Sequence, residues 1–493
     1  MTSANNKHLQ AERAKPWLAL ADFLALGVSF GIAMLLLWVF RYERIGASME
    51  LWWLWEGRQQ GLAFLGLAII TVVNFWARGH YSLRLPFWDE LLAILKTLLL
   101  AGLLNGMLVL LGKFTISRFL WPVSWGMALI LLPYARVAMK SWLLKVGIWQ
   151  LPTVIIGAGI NAQDAYRAMT SERQLGFEVQ AFLSIDDQAP DALAFDGRSG
   201  SAVQIPVVKL PREDLLKWLT DHGRPHVVIA VDEDELRQLE NQVEQLSLRY
   251  KDIHIIPPIA GLPLFGVVPH HFFSHEVLLL RVRNNLMVRP LIVLKRAFDL
   301  FGASVGLLLL SPLLAYVLWR VKQEGGPGSV FFGHVRVGMN GVPFKCWKFR
   351  TMVHNSQEVL EHLLATDPAA KAEWELDFKL KNDPRITKIG AFLRKTSLDE
   401  IPQLWNVIRG EMSLVGPRPI IDAELERYGD KVDFYLEARP GLTGLWQVSG
   451  RNDTTYAERV ALDAWYVKNW NLWYDIAIVC KTIRTVVSGH GAY

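Results

Sequence analysis

The sequence predicts three successive parts: an α-helical membrane domain over residues 1–145, an α/β domain over residues 150–285, and a mainly helical domain over residues 290–493 that a re-entrant helix anchors in the membrane. A chain of 493 residues is long enough for about three domains. Its composition is 52% hydrophobic and 20% charged, and its 20 Trp residues favour a lipid–water interface. The middle segment changes to β-rich runs that alternate with polar helical segments.

The charge balance and the cysteine content exclude several classes of protein. The net charge of +5 is small and spread along the chain, which suits an anionic membrane surface and argues against a nucleic-acid partner. Two cysteines, Cys346 and Cys480, cannot build a disulfide framework or a cysteine-rich zinc site. A polar N-terminus before a long apolar run predicts no cleavable signal peptide.

Four apolar stretches define the predicted membrane domain. Each is close to the roughly 17–25 residues that span a bilayer. The stretches are about Trp17–Phe40, Gly61–Ala77, Thr97–Gly112 and Phe119–Tyr134. The Lys and Arg residues on their flanks are more numerous on the side that holds both ends of this domain, which predicts that both ends are cytoplasmic.

Short β-rich runs define the predicted α/β domain. The runs are Thr153–Ile156, Val179–Leu183, His226–Val231 and Ile253–Ile256, and their alternation with helices predicts a small parallel sheet. The first run leads into a Rossmann-like G-x-G-x-x-A turn formed by Gly157, Gly159 and Ala162, which can set a helix N-terminus against a phosphate. The turn alone is equally typical of a domain that holds no nucleotide, so both alternatives stay open.

A fifth apolar stretch, residues 297–319, predicts the re-entrant helix. Cations flank it on both sides, which favours the cytoplasm for both ends: Lys295 and Arg296, then Arg320 and Lys322. Ser311 and Pro312 lie inside it. Proline removes a helix hydrogen bond and bends the axis, and a serine hydroxyl can satisfy the freed backbone group. A plain fifth span, which would place all later residues outside, is the alternative.

Cations in constrained surroundings follow the Gly325–Gly328 loop. Lys348 and Arg350 are two residues apart in an extended stretch, so they should share one face. Two prolines flank Arg418 and restrict its backbone, which reduces the entropy lost when its guanidinium binds a phosphate. Arg385 and Arg394 add further positive charge.

An Asp-Glu pair, Asp399 and Glu400, lies among these cations. The spacing Ser397-x-x-Glu400 is typical of a capping box that opens a helix. A helix N-terminus surrounded by Arg also suits a bound phosphate, beside which a carboxylate can hold Mg²⁺ or attack phosphorus. The residues alone leave both interpretations open.

Four motifs between Lys295 and the C-terminus together resemble the bacterial sugar transferases that act on polyprenyl phosphates, the monotopic phosphoglycosyl transferases. The motifs are Lys348-Phe-Arg-Thr-Met352, Ser397-Leu-Asp-Glu-Ile-Pro-Gln-Leu404, Met412-Ser-Leu-Val-Gly-Pro-Arg-Pro419 and Arg439-Pro-Gly-Leu-Thr-Gly-Leu-Trp-Gln-Val-Ser-Gly-Arg451. The four preceding spans and the α/β domain match the large members, so the resemblance covers nearly the whole chain.

The resemblance implies a two-step reaction. Asp399 would attack the β-phosphorus of a UDP-sugar and release UMP, and undecaprenyl phosphate would then take the sugar phosphate from the enzyme. Glu400 carries over as the second catalytic residue, and Mg²⁺, with Asp399 as a ligand, as the cofactor. The implied phosphate-binding and substrate-binding residues are Lys348, Arg350, Arg385, Arg394, Arg418, Gln447 and Arg451.

Three further stretches look like members that transfer galactose-1-phosphate from UDP-galactose: Val448–Asp453, Trp465–Trp470 and Gly491–Tyr493. The implied setting is the first membrane step of surface polysaccharide synthesis, whether O-antigen, capsule or exopolysaccharide. The protein would lie in the bacterial inner membrane with its catalytic domain on the cytoplasmic face, and downstream glycosyltransferases would use its product.

Several alternatives stay open. Glucose-1-phosphate transfer is one, since no motif distinguishes the hexose epimers, and a non-catalytic membrane scaffold or polymer-length regulator is another. The oligomeric state is open, with a homodimer as one alternative. An NAD-dependent nucleotide-sugar dehydratase is disfavoured, because no Tyr in the sequence has a Lys four residues later. The segment Trp465–Val487 is either an interfacial amphipathic helix or a helix packed in the core.

Overall fold

The computed structural model describes residues 3–42, 58–111, 119–196, 202–250, 252–258, 267–271, 278–281, 284–367, 371, 380, 383–449 and 454–488. The chain forms two compact units, Met1–Ala260 and Gly261–Tyr493. The first contains apolar helices and a mixed sheet, and the second is mainly helical.

Long apolar helices open the first unit. They are α1 (Ser3–Leu37), α2 (Arg58–Ala77), α3 (Phe87–Leu111) and α4 (Leu120–Lys145). By length and composition, five helices in the described part of the chain can cross a membrane: these four and α9 (Arg289–Glu324) of the second unit. The prediction of a helical N-terminal region with several apolar helices is confirmed.

Helix α4 continues beyond Tyr134, where the apolar stretch ends in the sequence. Arg136 and Lys140 therefore lie inside the helix instead of on its flank, and both are buried. Arg136 pairs with Asp22 of α1 at 2.6 Å, and Lys140 pairs with Glu90 of α3 at 2.7 Å. Opposite charges on neighbouring helices make this burial tolerable in an apolar setting.

A six-stranded sheet follows, in the order β3-β4-β2-β1-β5-β6. Its strands are β1 (Leu151–Ile156), β2 (Phe177–Ser184), β3 (Ala192–Asp196), β4 (Ala202–Lys209), β5 (His226–Ile229) and β6 (Ile253–Ile255). All neighbours are parallel except β3 and β4. The four predicted strands are present and mutually parallel, as expected. Strands β3 and β4, which are successive and pair antiparallel at the edge, were not predicted from the sequence.

Helices cover both faces of this sheet. They are α5 (Ile160–Thr170), α6 (Leu215–Asp221), α7 (Glu233–Gln238) and α8 (Glu240–Arg249). Successive residues of β1 contribute to opposite cores: Ile155 packs with α5, whereas Val154 and Ile156 pack with α6 and α8. Because the strand is buried on both faces, apolar residues occur at successive positions, which explains the continuous apolar run in the sequence.

The second unit combines one long helix with short strands and helices. Two antiparallel pairs are β7 (Val268–His271) with β8 (Leu278–Arg281) and β9 (Phe331–Val337) with β10 (Pro343–Phe349), and one parallel pair is β11 (Ser413–Val415) with β12 (Gly441–Thr443). Among the described residues, the α-helices after α9 are α10 (Ser356–Thr366), α11 (Lys388–Thr396), α12 (Gln403–Arg409), α13 (Val432–Glu437), α14 (Leu445–Ser449), α15 (Tyr456–Lys468) and α16 (Leu472–Ser488).

The first half of α9 is fixed to this unit by charged side chains. Lys295 is buried and donates to Asp475 of α16 at 2.7 Å and to the Val415 carbonyl at 2.9 Å. Arg296 donates to the last carbonyls of α12, those of Val407 and Ile408. The two cations that precede the apolar stretch in the sequence therefore bond the interior of this unit.

The rest of α9 packs on the same unit along one face. Val317 and Val321 share a core with residues of β10, α11 and α12, and Glu324 accepts the backbone N–H of Ile389 at 2.8 Å. The other face exposes large apolar side chains, including Phe301 and Leu308. The helix, which is about 54 Å long, thus presents apolar surface outward along most of its length.

Ser311 compensates for Pro312 inside α9. The helix continues through both residues. Pro312 has no N–H to donate to the carbonyl of Leu308, four residues earlier, and the Ser311 hydroxyl donates to that carbonyl at 2.7 Å. This confirms the expectation that the serine satisfies the backbone group freed by the proline.

The C-terminal segment differs from the single predicted helix. It forms α15 and α16, which are separated at Asn469–Asn471. Trp470 lies between them, is fully buried, and donates its indole N–H to Asp475 at 3.1 Å. The core-packed alternative is therefore correct for this part, although Ile483 further along α16 is exposed.

We expect Ser311→Ala to lower the free energy of unfolding by about 1 kcal/mol, because the Leu308 carbonyl loses its donor in apolar surroundings. In a Pro312→Leu background the same change should cost almost nothing, since the introduced leucine restores the helical N–H. Thermal unfolding of the four variants of this double-mutant cycle measures the difference. Equal costs in both backgrounds would show that the serine does not compensate for the proline.

Candidate active site

Asp399 and Glu400 lie in a tight turn between two helices. Ser397 ends α11 in the left-handed region (φ 56°), and a 3-10 turn, Leu398–Glu400, follows before α12. The capping-box interpretation is wrong: Ser397 makes no side-chain cap, and the Glu400 side chain bonds Lys348. The left-handed residue reverses the chain and places both carboxylates beside β10.

Lys348 of β10 connects the two carboxylates. Its Nζ lies 2.6 Å from Oε1 of Glu400 and 3.7 Å from Oδ2 of Asp399. The side chains of Lys348 and Glu400 are 30% and 29% exposed, and that of Asp399 is 14% exposed. The three groups are therefore ordered by one another and still accessible to a ligand.

The environment of Asp399 disfavours its charge. Burial raises the pKa of its carboxyl above the ordinary value, and the neighbouring charge of Glu400 adds to this effect. Lys348 and Arg394 act in the opposite direction and hold the pKa down. A partly desolvated carboxylate beside cations is a better nucleophile toward an anionic substrate than one in water.

Arg394 reaches this cluster from the last turn of α11. Its Nε donates to the Thr351 hydroxyl at 3.0 Å, which orients the guanidinium, and the side chain is exposed. Because Arg394 also influences the pKa of Asp399, the structure brings it together with the carboxylates and Lys348.

Arg418 lies on a loop that is fixed on both sides. The carbonyl of Pro417 accepts from Gly441 at 2.7 Å, and Ile420 accepts from the backbone N–H of Val337 at 2.9 Å. The Tyr435 hydroxyl accepts the Ile420 N–H at 3.2 Å. The Arg418 side chain is exposed and its guanidinium lies 5.5 Å from the Trp446 ring centroid. The rigid presentation predicted from the two prolines is thus supported by hydrogen bonds.

Arg336 of β9 is a candidate that the sequence analysis missed. Burial raises the pKa of the nearby Cys346 thiol to about 11, and the charges of Lys348, Glu400, Arg336 and Arg418 all act on this thiol. Arg336 and Arg418 therefore belong to the same charged neighbourhood as the Lys348–Glu400 pair. The signal available in the sequence is a cation that alternates with apolar residues in Phe331–Val337.

Arg350 and Arg385 are engaged elsewhere. Arg350 donates to the carbonyls of Gly326 and Pro327 in the loop after α9. Strand β10 ends at Phe349, so the alternation that should have placed Arg350 beside Lys348 does not continue. Arg385 forms a bidentate ion pair with Asp383: Nε donates to Oδ1 at 2.8 Å, and Nη2 donates to Oδ2 at 2.6 Å.

Two further predicted residues lie near the end of the fourth motif. Gln447 is in α14, directly after Trp446. Arg451 lies outside the described residues. The phosphate-binding roles of all these side chains stay predictions.

The site suits Mg²⁺ only together with a substrate. Among the described residues, no group of three or more His, Cys, Asp or Glu side chains could hold a metal ion. Mg²⁺ is usually held by one or two carboxylates and by substrate phosphates, and the accessible carboxylates of Asp399 and Glu400 fit that mode. The cofactor stays a prediction.

The Rossmann-like turn in the first unit is already filled by a carboxylate. Gly157 has φ 119°, and a Cβ on Gly159 would collide with Oδ2 of Asp232. The backbone N–H of Asn161 in the first turn of α5 donates to Oδ1 of Asp232 at 3.3 Å, and Ala162 is buried against the sheet. Asp232 thus occupies the place at the helix N-terminus where a phosphate would bind.

Comparison with known proteins places the second unit among sugar transferases. The bacterial sugar transferase family model matches residues 291–489. The undecaprenyl-phosphate galactose phosphotransferase of Salmonella typhimurium is 48% identical over 87% of each chain. The UDP-galactose-lipid carrier transferase of Erwinia amylovora is 43% identical over 97% of each chain. The UDP-glucose:undecaprenyl-phosphate glucose-1-phosphate transferase of Escherichia coli is 30% identical over 88% of this chain and 91% of its own.

We expect opposite shifts in the pKa of Asp399 when its two neighbours are neutralised. Lys348→Met removes a positive charge and should raise the pKa, whereas Glu400→Gln removes a negative charge and should lower it. Difference infrared titration of the carboxyl band measures both, with Asp399→Asn to assign the band. Shifts in the same direction would contradict the charge arrangement described.

Proposed function

The chain belongs to the bacterial sugar transferase family, and on that basis we propose that it transfers galactose-1-phosphate from UDP-galactose to undecaprenyl phosphate, giving undecaprenyl-diphosphate-galactose and UMP. The observation that carries this proposal is the Lys348–Asp399–Glu400 cluster inside the matched region. Galactose is favoured over glucose because the two relatives named for galactose are 48% and 43% identical, against 30% for the one named for glucose.

In the first step, a carboxylate oxygen of Asp399 attacks the β-phosphorus of UDP-galactose. A bond forms between that oxygen and phosphorus, and the bond to the bridging oxygen breaks. UMP leaves with the electron pair. The partial burial of Asp399 and its position beside Lys348 support this role, since a cation must offset the repulsion between carboxylate and diphosphate.

In the second step, a phosphate oxygen of the lipid attacks the same phosphorus and expels the Asp399 carboxylate. The acyl phosphate is an activated intermediate, so the enzyme exchanges one high-energy phosphate linkage for another. In the structure, Nζ of Lys348 lies 2.6 Å from Oε1 of Glu400. We assign Glu400 the role of keeping this lysine beside the reacting oxygen in both steps.

The surrounding cations position the phosphates. Arg394, Arg418 and Arg336 are the side chains that share the charged neighbourhood of the carboxylates. Phosphoryl transfer depends mainly on such positioning and on charge neutralisation. When bound with the substrate, Mg²⁺ would supply further neutralisation of the diphosphate, and Asp399 and Glu400 would hold it.

Helix α9 is proposed to enter and leave the membrane on the cytoplasmic side. Support comes from its contacts, because Lys295 near one end and Glu324 at the other bond the same globular unit. A helix that crossed the bilayer would place these two ends on opposite sides of the hydrocarbon core, where they could not both bond one globular unit. Its exposed apolar face then holds the site at the level of lipid phosphates.

The pathway setting follows from the product. A lipid-linked sugar in the inner membrane is the acceptor for downstream glycosyltransferases, so we propose that the protein performs the first membrane step of a surface polysaccharide. The Rossmann-like turn is proposed to hold no nucleotide, because Asp232 would repel a phosphate there. A panel of UDP-sugars, assayed for UMP release with and without undecaprenyl phosphate, tests the donor and separates an enzyme from a scaffold.

Asp399→Asn should reduce transfer by at least about 1,000-fold, because the amide keeps the shape but loses the nucleophile. Radiolabelled galactose recovered in lipid measures the rate. Asp433→Asn, at an exposed carboxylate on α13, is the matched control and should retain full activity. If folded Asp399→Asn retained more than a few per cent of the turnover of the unaltered protein, the covalent mechanism would be ruled out.

Single-cysteine labelling tests the path of α9. After Cys480, which is exposed, is replaced by Ser, cysteines at Arg289 and Gln323 should both react with a membrane-impermeant reagent only when the cytoplasmic face is accessible. Labelling of position 323 in intact spheroplasts, from the outside, would show instead that α9 is a plain fifth span.

A shortened chain that starts at Met287 should retain UMP release that depends on UDP-galactose. The cluster, the candidate cations and their core all lie within the second unit. The shortened chain must first be shown to be folded and membrane-bound. If it is then inactive, and activity returns only with the α/β domain, that domain takes part in the chemistry.

A further inference from the structure

Helices α2 and α3 leave a groove of about 560 Å³ between them. Its walls include Ile70 on α2, Arg78 in the turn that follows α2, and Asp89, Lys96 and Leu104 on α3. On α3 these positions are seven or eight residues apart, which corresponds to two turns, so one continuous face of α3 lines the groove. From Asp89 to Leu104 the groove extends for about 22 Å, which is most of the thickness of the hydrocarbon core of a bilayer, about 30 Å.

The groove cannot close by a shift of α3, because the opposite face of α3 is held against α4. A Cβ on Gly106 would lie 2.6 Å from the ring of Trp121, and a Cβ on Gly102 would lie 3.3 Å from Trp125. The indole N–H of Trp121 also donates to the carbonyl of Gly102. Close packing against α4 on one side of α3 thus leaves the space on its other side, toward α2, available to a bound molecule.

The end of the groove near the α2–α3 connection is polar and cationic. Neither the Arg78 nor the Lys96 side chain has a hydrogen-bonded or ion-paired partner in the part of the chain that the structure describes. His80 lines this end, is 9% exposed, and has no partner for Nδ1 among the described residues. Asp89 supplies one negative charge against two positive ones. An unpaired lysine within an apolar helix is costly without a counter-ion.

The remainder of the groove is apolar and open to the side. Ile70 is 63% exposed and Leu104 is 46% exposed, although both lie on helices that are apolar enough to cross a membrane. A cationic end that continues into an apolar channel matches a molecule with a negative head and a hydrocarbon chain. The groove therefore has the chemistry of a lipid site, with its polar end formed by α3 and the turn after α2 and its apolar part formed by the two helices.

We propose that this groove binds an anionic phospholipid of the surrounding bilayer, with its phosphate at Arg78, His80 and Lys96 and an acyl chain along Ile70 and Leu104. Bilayer phospholipids face the open side of the groove at a far higher concentration than any lipid carrier, which favours them by mass action. The site lies in the first unit and is independent of the proposed reaction, so its failure and the failure of that reaction are distinguishable.

The test is the melting temperature of the full chain in detergent micelles titrated with phosphatidylglycerol or with phosphatidylcholine. Near-saturating phosphatidylglycerol should raise the melting temperature by about 5 °C, and phosphatidylcholine should have much less effect. In Arg78→Gln/Lys96→Gln the response to phosphatidylglycerol should be lost. Arg13→Gln/Lys145→Gln, which removes two exposed cations outside the groove lining, should keep it.

A second variant tests the groove if the charge variant does not fold. Ile70→Trp/Leu104→Trp fills the apolar part without a change of charge, and it should fold but lose the response. An equal response to both lipids, or a response retained in the filled variant, would overturn the proposal. A larger stabilisation by undecaprenyl phosphate than by phosphatidylglycerol at equal concentration would also overturn it and assign the groove to the acceptor.

Discussion

The contact between α9 and the rest of the second unit determines where the candidate catalytic groups lie. Lys295 is buried and divides its bonds between Asp475 and the carbonyl of Val415. Removing one partner of such a buried pair typically costs about 3–5 kcal/mol, because the other charge is left uncompensated. The same helix ends at Glu324, which bonds the first turn of α11. Since α11 leads directly into the turn of Asp399 and Glu400, the helix with the exposed apolar face also positions the carboxylates. The acceptor phosphate cannot leave the plane of the lipid headgroups, so this coupling of membrane anchor and site is a geometric requirement of the proposed reaction.

Opposing effects in the site determine the pKa of Asp399. Burial and Glu400 raise the pKa of Asp399, and Lys348 and Arg394 oppose them. The free protein therefore holds a carboxylate whose charge is tolerated because cations stand beside it. An incoming diphosphate would add negative charge to the same space, and Arg418 and Arg336, whose charges also act on the neighbouring Cys346 thiol, would offset it. In such a partly buried place each ion pair is worth more than it would be at an open surface.

Much of this organisation can be predicted from the sequence, for physical reasons that differ between regions. Long apolar stretches and short β-rich runs are local features of the sequence, so the helical N-terminal region and the parallel strands could be predicted. The burial of Arg136 in α4 could not, because it rests on an ion pair with Asp22 of α1, which is distant in the sequence. Asp399 and Lys348, which belong to separate motifs, lie 3.7 Å apart in the structure. Arg350 was assigned to the same face by strand alternation, and this fails because β10 ends one residue earlier. Arg336 was missed because only the pairing of β9 with β10 brings it near the cluster.

The most direct test of the central claim, that Asp399 takes the sugar phosphate before the lipid does, is an exchange experiment without acceptor. The purified protein is incubated with UDP-galactose and radiolabelled UMP in the absence of undecaprenyl phosphate, and label in UDP-galactose is measured. A covalent intermediate makes the first step reversible on its own, so label should enter UDP-galactose in the unaltered protein and not in Asp399→Asn. Full transfer activity with lipid, together with no exchange in its absence, would show that donor and acceptor react directly and would contradict the account.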